Sequence, residues 1–317
     1  MCELKSEREE WIDAAKGIGI CLVVLGHTKL PNLISAGIYS FHMPLFFYLS
    51  GAVYKNKGWA LFFIRKVKSL LWPYFMFGIF SSVVLSMVSS RNESILGEIW
   101  KLFRFRGNIN TPLWFLPSLF AAEIVFYFVM KLQKNSLKMV LAIIFFLISY
   151  TVFCVGHKML PFCFEVSLAA VLYMNVGNLS YAKRWMYLIG PKFGLFLAII
   201  CAGAVMILAK SNPGGDMLIQ AQHSVVSFVF SSFLGVTCVV LLSRWIVEFE
   251  ILKKILLWCG SRSLGILCMH TIVMKVVRYF FDGLLPKGLL QLLIVCVLVS
   301  ALQWIYSSRL RFLLRMR

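Results

Sequence analysis

Charge is what this chain has least of. Charged residues make up 14% of its 317 positions, and only 13 are acidic against 32 basic. A soluble protein carries roughly a quarter charged residues, so a water-soluble globular chain is excluded. Paired cysteines are missing as well: none of the nine forms a C-x-x-C, and most sit inside apolar runs, where they read as small buried hydrophobes. No Pro/Ser-rich linker, shift of composition or internal repeat divides the sequence, which predicts one domain over 1–317 with no appended soluble domain. There is no G-x-x-x-x-G-K-[ST] loop for a nucleotide, no H-E-x-x-H or cysteine cluster for zinc, and no G-x-S-x-G elbow. No metal is expected.

What the chain has is apolar length. It is 60% hydrophobic with a mean hydropathy of +0.84, in near-continuous runs rather than short alternating ones. That pattern points to membrane helices and against a membrane β-barrel. A ruler of roughly twenty apolar residues per span yields about ten candidates. They cover 11–30, 34–53, 70–90, 113–131, 138–156, 162–181, 193–209, 224–244, 263–281 and 289–306. The predicted fold is therefore an all-α polytopic bundle in the cell membrane. The acidic and basic start (Glu3 to Glu10) has no small-residue cleavage site after it, so the first helix is read as retained.

The net charge of +19 fits this picture without nucleic acid, since no basic patch with interleaved aromatics sits on a soluble domain. Lys and Arg gather in alternate loops, as in Arg65–Lys68, Lys131–Lys138, Lys183–Lys192 and Arg309–Arg317, which places both termini in the cytoplasm. The one basic cluster on the other side lies in 91–112, where I-L-G-E-I-W-K-L-F-R-F-R reads as an amphipathic helix on the outer surface.

Polar groups at membrane depth are costly and mark function by default. In W-I-D-A-A-K-G-I-G-I-C-L-V-V-L-G-H (Trp11–His27), Lys16 and His27 stand eleven positions apart. On a helix they fall within about 20° of each other and about 16 Å apart along the axis, with Asp13 one turn before Lys16 and able to pair with it. A snorkelling lysine and an interhelical histidine hydrogen bond are the bland alternatives; the shared face favours function. In F-H-M-P-L-F-F-Y-L-S-G (Phe41–Gly51), His42 precedes Pro44, which should kink the helix and free backbone groups for a polar surrounding. His42 is either a second catalytic group or a structural partner.

Arg65-Lys66-Val67-Lys68 before Trp72-Pro73-Tyr74 reads as an inside loop: either ordinary anchoring or a clamp for a cytoplasmic polyphosphate. Trp114 is expected at the outer face, stacking on a sugar ring or belonging to an aromatic belt. Glu123 and Glu165 should face the bundle interior. Ser261 is expected to cap a ninth helix with His270 about two turns inside it. The polar stretch 210–223 suits a substrate entrance. A histidine base in a membrane cavity, with cations on the cytoplasmic side, fits acyl transfer from a phosphorylated donor to a hydroxyl. The H-x-x-x-x-D pattern used by soluble-type acyltransferases is not present, because Asn32 stands where the acid would be.

The Trp11–His27 and Phe41–Gly51 blocks, with the basic run at Arg65–Lys68, L-W-F-L-P-S-L-F at 113–120 and G-S-R-S-L-G-I…H at 260–270, resemble the membrane-bound acyltransferase-3 family. More narrowly they are similar to its sugar O-acetyltransferase branch, which includes fucose O-acetylase-like proteins. The family's R-x10-H pattern corresponds here to Lys16 and His27, and its R-x-x-R motif to Arg65 and Lys68. Each carries one Arg-to-Lys change, which keeps the charge and loses the bidentate fork. The resemblance implies acetyl-CoA or another acyl-CoA as donor, held by Lys16, Arg65 and Lys68. It implies a hydroxyl of a surface glycan, lipid-linked sugar or oligosaccharide as acceptor. His27 would be general base or transient acyl acceptor, assisted by His42 and Asp13, with Trp114, Glu123, Glu165 and His270 placing the acceptor. Two rivals stand beside it. One is a secondary transporter of a sugar-containing or small metabolite, for which intramembrane Asp, Glu, His and Lys serve equally. The other is a membrane O-acyltransferase of another fold, with His223 or His270 as the key residue.

Overall fold

The computed structural model of the chain describes residues 9–280 except 29, 57, 89–93, 106–108, 157–159, 185–187, 213–215 and 218–223, together with residue 297. The tenth expected span (289–306), His223 and the basic tail from Arg309 lie outside the described residues. Among those described there is no strand. The helices are α1 (Glu10–Gly26), α2 (Asn32–Ala52), α3 (Trp59–Lys66), α4 (Trp72–Val88), α5 (Ile95–Phe103), α6 (Phe115–Val129), α7 (Asn135–Gly156), α8 (Phe164–Lys183), α9 (Pro191–Ser211), α10 (Val225–Ile246), α11 (Glu250–Ser261) and α12 (Ser263–Phe280).

Seven described segments are long and apolar enough to cross a membrane, or eight when the bent pair α11–α12 is taken as one span. The expectation of about ten meets two particular segments here. One is the span at 289–306, already named. The other is α1, which at 17 residues rises only about 26 Å against a hydrocarbon core of about 30 Å.

The stretch read as an inside loop at 65–68 is helical. A π-helical turn, Val67–Leu71, joins α3 to α4, and the continuous segment Trp59–Met87 has 29 residues. It is about 44 Å long, well beyond the hydrocarbon core, so its first turns reach into the headgroup region with Arg65, Lys66 and Lys68 on them.

At the centre of the bundle α1 and α2 form an antiparallel hairpin. Helix α8 lies along α2, α10 packs on α1, α2 and α9, and α11 lies across α1. Helices α6 and α8 are interior, whereas α7 and α9 bury only about a fifth of their apolar windows and face lipid. Inside a membrane, helix association rests on close packing rather than on expulsion of water. Two contacts show how close. A Cβ on Gly51 of α2 would run into the Met174 backbone of α8, and one on Gly177 of α8 into Tyr48 of α2. A Cβ on Gly17 of α1 would meet Leu256 of α11, and one on Gly260 of α11 would meet Asp13 of α1.

Pro44 lies inside α2, which nevertheless continues as one helix. The proline frees the carbonyl of Ser40, and the Ser40 hydroxyl is buried against Ser231 of α10 at 2.7 Å. The amphipathic helix expected within 91–112 is α5. Ser94 caps it by accepting from Gly97 N at 3.0 Å, and Leu102 is buried against Gly78 of α4. Leu96, Trp100 and Phe103 form an exposed apolar stripe. Helix α12 leaves α11 at 79°. Ser261 does not cap it; its hydroxyl donates back to the Trp258 carbonyl and closes α11 instead.

Candidate functional site: a histidine cluster and a cationic cleft

His27 ends α1, its backbone N–H reaching back to Val24 and Val23. Its imidazole lies against His270 of α12, with ring centroids 5.1 Å apart, and edge-on to Tyr39 of α2 at 6.2 Å. Tyr39 is also edge-on to His42, at 5.0 Å, and donates its hydroxyl to the Gly26 carbonyl at 3.3 Å. His27 and His42 are near enough to interact electrostatically. Three histidines from α2, α12 and the end of α1 thus gather together, with Tyr39 against His27 and His42.

His42 and His270 are held by the same local device. Nδ1 of His42 lies 2.8 Å from the Ile38 carbonyl, and Nδ1 of His270 lies 3.0 Å from the Ile266 carbonyl. A carbonyl oxygen only accepts, so Nδ1 carries the proton in both rings and Nε2 keeps its lone pair. Both rings are fully buried, whereas His27 is half-buried and its ring has no hydrogen-bond partner among the described residues. Of the three, His27 is the one with both access and freedom. Among the described residues, no group of three His, Cys, Asp or Glu is arranged to hold a metal ion.

At the opposite end of α2 a cleft of about 890 Å³ opens. Its walls are Ser50 and Val53 with Tyr54 and Lys55 from the end of α2, Phe62, Arg65 and Lys66 from α3, Lys68 and Ser69 from the π turn, and Glu123 from α6. Its volume lies within the ordinary range for small-molecule sites, and π turns are frequent at functional ones. Lys66 is ion-paired with Glu123, which also accepts from the Ser50 hydroxyl at 2.6 Å. Arg65, Lys68 and Lys55 make no ion pair among the described residues. Four cations against one carboxylate suit a polyanion.

The other expected site residues fall into place unevenly. Lys16 pairs with Asp13 at 3.5 Å beside the α1–α11 contact and does not line the cleft. Arg65 and Lys68 do line it together. Glu123, expected with the acceptor, belongs instead to the wall of the cationic cleft, because α6 turns it toward α3. Trp114 is buried at the start of α6, edge-on to Phe115, rather than presented to an outer ligand. Glu165 is buried in the first turn of α8, where its carboxylate accepts from Leu160 N at 3.1 Å and closes the turn after α7. His270, expected with the acceptor, is in contact with His27 itself. Sequence reasoning passed over Tyr39, although its place three residues before His42 puts both on one helical face. It also passed over Ser50, which carries no pattern of its own, and named Lys66 only within the basic run Arg65–Lys68.

The described residues thus combine a histidine cluster inside a bundle of apolar helices with a cationic cleft farther along the same helix α2. The chain belongs to the acyltransferase-3 family: the profile of that family's Acyltransferase domain matches residues 9–307. No curated protein and no solved structure gives a match. This is a multi-pass membrane acyltransferase.

Proposed function

We propose that the protein moves an acetyl group from acetyl-CoA, or another acyl group from its CoA ester, to a hydroxyl of a cell-surface glycan, lipid-linked sugar or oligosaccharide. The observation that carries this reading is the course of α2. His42 faces the histidine cluster and Ser50 lines the cationic cleft, about 12 Å apart along one helix. Arg65, Lys68 and Lys55 would take the phosphates of the donor, leaving its thioester arm to run along α2 toward His27. A ring nitrogen of His27 would accept the proton of the acceptor hydroxyl as its oxygen attacks the thioester carbonyl. The C–O bond forms, the C–S bond breaks, and the proton passes to the departing thiolate as CoA thiol. His42 and His270, locked by their own helices, would hold the His27 ring in place. Asp13 and Lys16 would fix the foot of α1 against α11.

The reading is tested on full-length protein in proteoliposomes, supplied with acetyl-CoA and a glycolipid and polysaccharide extract of the native membrane. Loss of a general base costs about 10²–10⁴-fold in rate, and His27→Ala should lose that much thiol release while inserting normally. Full activity in that variant would sink the mechanism. Glycan mass spectrometry of a deletion strain beside its parent names the acceptor by the acetyl groups that disappear.

A further inference from the structure

A residue on neither the helix of His27 nor that of His270 is bonded to the α12 backbone close to His270. Asn110, in the segment between α5 and α6, is fully buried. Its side-chain amide donates to the Cys268 carbonyl of α12 at 2.8 Å and to the Ser81 hydroxyl of α4 at 3.3 Å. Cys268 is two residues from His270, so this hydrogen bond fixes the α12 backbone within half a turn of the imidazole. The neighbouring peptide is held from both sides. Ile109 N–H donates to the Glu98 carboxylate of α5 at 2.5 Å, and the Lys275 ammonium of α12 donates to the Ile109 carbonyl at 2.9 Å. Leu113 N–H donates to the Asn110 carbonyl at 3.1 Å as the turn into α6 begins.

We propose that Asn110 is a positioning residue for acyl transfer, setting through the Cys268 carbonyl the depth at which α12 presents His270 to His27. Side-chain packing between helices is non-directional, so a helix held by it alone can slide or rotate by a fraction of a turn. The buried amide's hydrogen bond to the Cys268 carbonyl is directional and fixes where that carbonyl sits. The chain of control runs from Asn110 to the α12 backbone and from there to His270. The imidazole is locked to that backbone by its bond to Ile266, and it packs on His27 at 5.1 Å. The same clamp ties the surface helix α5 to the site through Glu98 and Ile109. This rests on the reading of His27 as the reactive base.

The test compares Asn110→Leu, which keeps the volume and removes both donors, with Ser81→Ala and His27→Ala, all full-length in proteoliposomes. Thiol release from acetyl-CoA is followed with the native membrane extract as acceptor source. A displacement of about 1 Å at a reacting group costs up to about 100-fold, so Asn110→Leu should lower kcat at least about tenfold. The KM for acetyl-CoA should stay within about twofold, because the donor cleft lies on α2, α3 and α6. Ser81→Ala, which leaves the bond to Cys268 in place, should stay near the parent rate. A parental kcat in Asn110→Leu, a parallel change of kcat and donor KM, or an equal loss in Ser81→Ala would each overturn the role. Should Asn110→Leu fail to accumulate, Asn110→Thr, whose shorter hydroxyl cannot span to Cys268, is read by the same criteria. If His27→Ala is silent, the function reading has failed. If His27→Ala is inactive and Asn110→Leu is at the parental rate, only the positioning role has.

Discussion

At the scale of single residues, His42 and His270 show why a buried histidine need not be inert. Each spends Nδ1 on the carbonyl one turn back and keeps Nε2 for its neighbours. Replacing His270 by Gln keeps an amide of similar reach and loses the aromatic contact with His27; thiol release from acetyl-CoA should fall about tenfold or more. Glu123 offers the sharper test, because the sequence reading put it with the acceptor whereas it lies in the wall of the cationic cleft. Sitting beside Arg65 and Lys68, it holds Lys66 back from any anionic ligand. Glu123→Gln should therefore lower the KM for acetyl-CoA several-fold, a charge-assisted contact being stabilising by about 1.5–3 kcal/mol. A raised acceptor KM with an unchanged donor KM would return Glu123 to the acceptor. Conversely, Arg65→Ala with Lys68→Ala should raise the donor KM at least about tenfold and leave kcat less affected. What the sequence made legible at this scale was His27 and His42, because both stand in apolar helices where a histidine needs a reason. The meeting of His27 with His270 was not legible. Nothing in the local pattern of α12 says which helix, far back in the chain, it will pack against.

At the scale of elements, period and composition predicted most of the helices well, α5 among them. They misread 65–68 because positive charge in a membrane protein usually means a loop, whereas here it rides on a helix that overhangs the apolar core. The π turn that joins α3 to α4 leaves no signature in residue type. The close contacts fall at glycines, since small residues let helix backbones approach. Gly51→Ala forces a methyl group into the Met174 backbone, which has no flexible end to yield. Overpacking of this kind costs about 1–3 kcal/mol, and the thermal midpoint in detergent should drop accordingly. Gly58→Ala, where no atom lies within reach of the new methyl, is the matched control and should leave the midpoint unchanged.

At the scale of the whole molecule, cleft and cluster lie at opposite ends of α2, so donor and acceptor need not meet the protein from the same side of the bilayer. In sealed vesicles of defined orientation, acetyl-CoA should be consumed only when supplied on the face that carries Arg65 and Lys68. Consumption from either face would contradict a one-sided donor site. The class of fold was legible because hydrophobicity over twenty residues is a property of the chain alone. The number of spans was less so, because 289–306 lies outside the described residues and α1 is short for a span. That helix carries a further consequence for how the protein is made. With Asp13 and Lys16 in its first two turns, the short α1 is a poor candidate to settle in lipid unaided, since ionisable groups drawn toward hydrocarbon oppose insertion. Its partner α2 follows at once, but α10, α11 and α12, which pack on the rest of it, lie far along the chain. Helix α1 therefore gains these neighbours long after it is made. His27 stands without His270 until α12 arrives, so the histidine cluster cannot form before then.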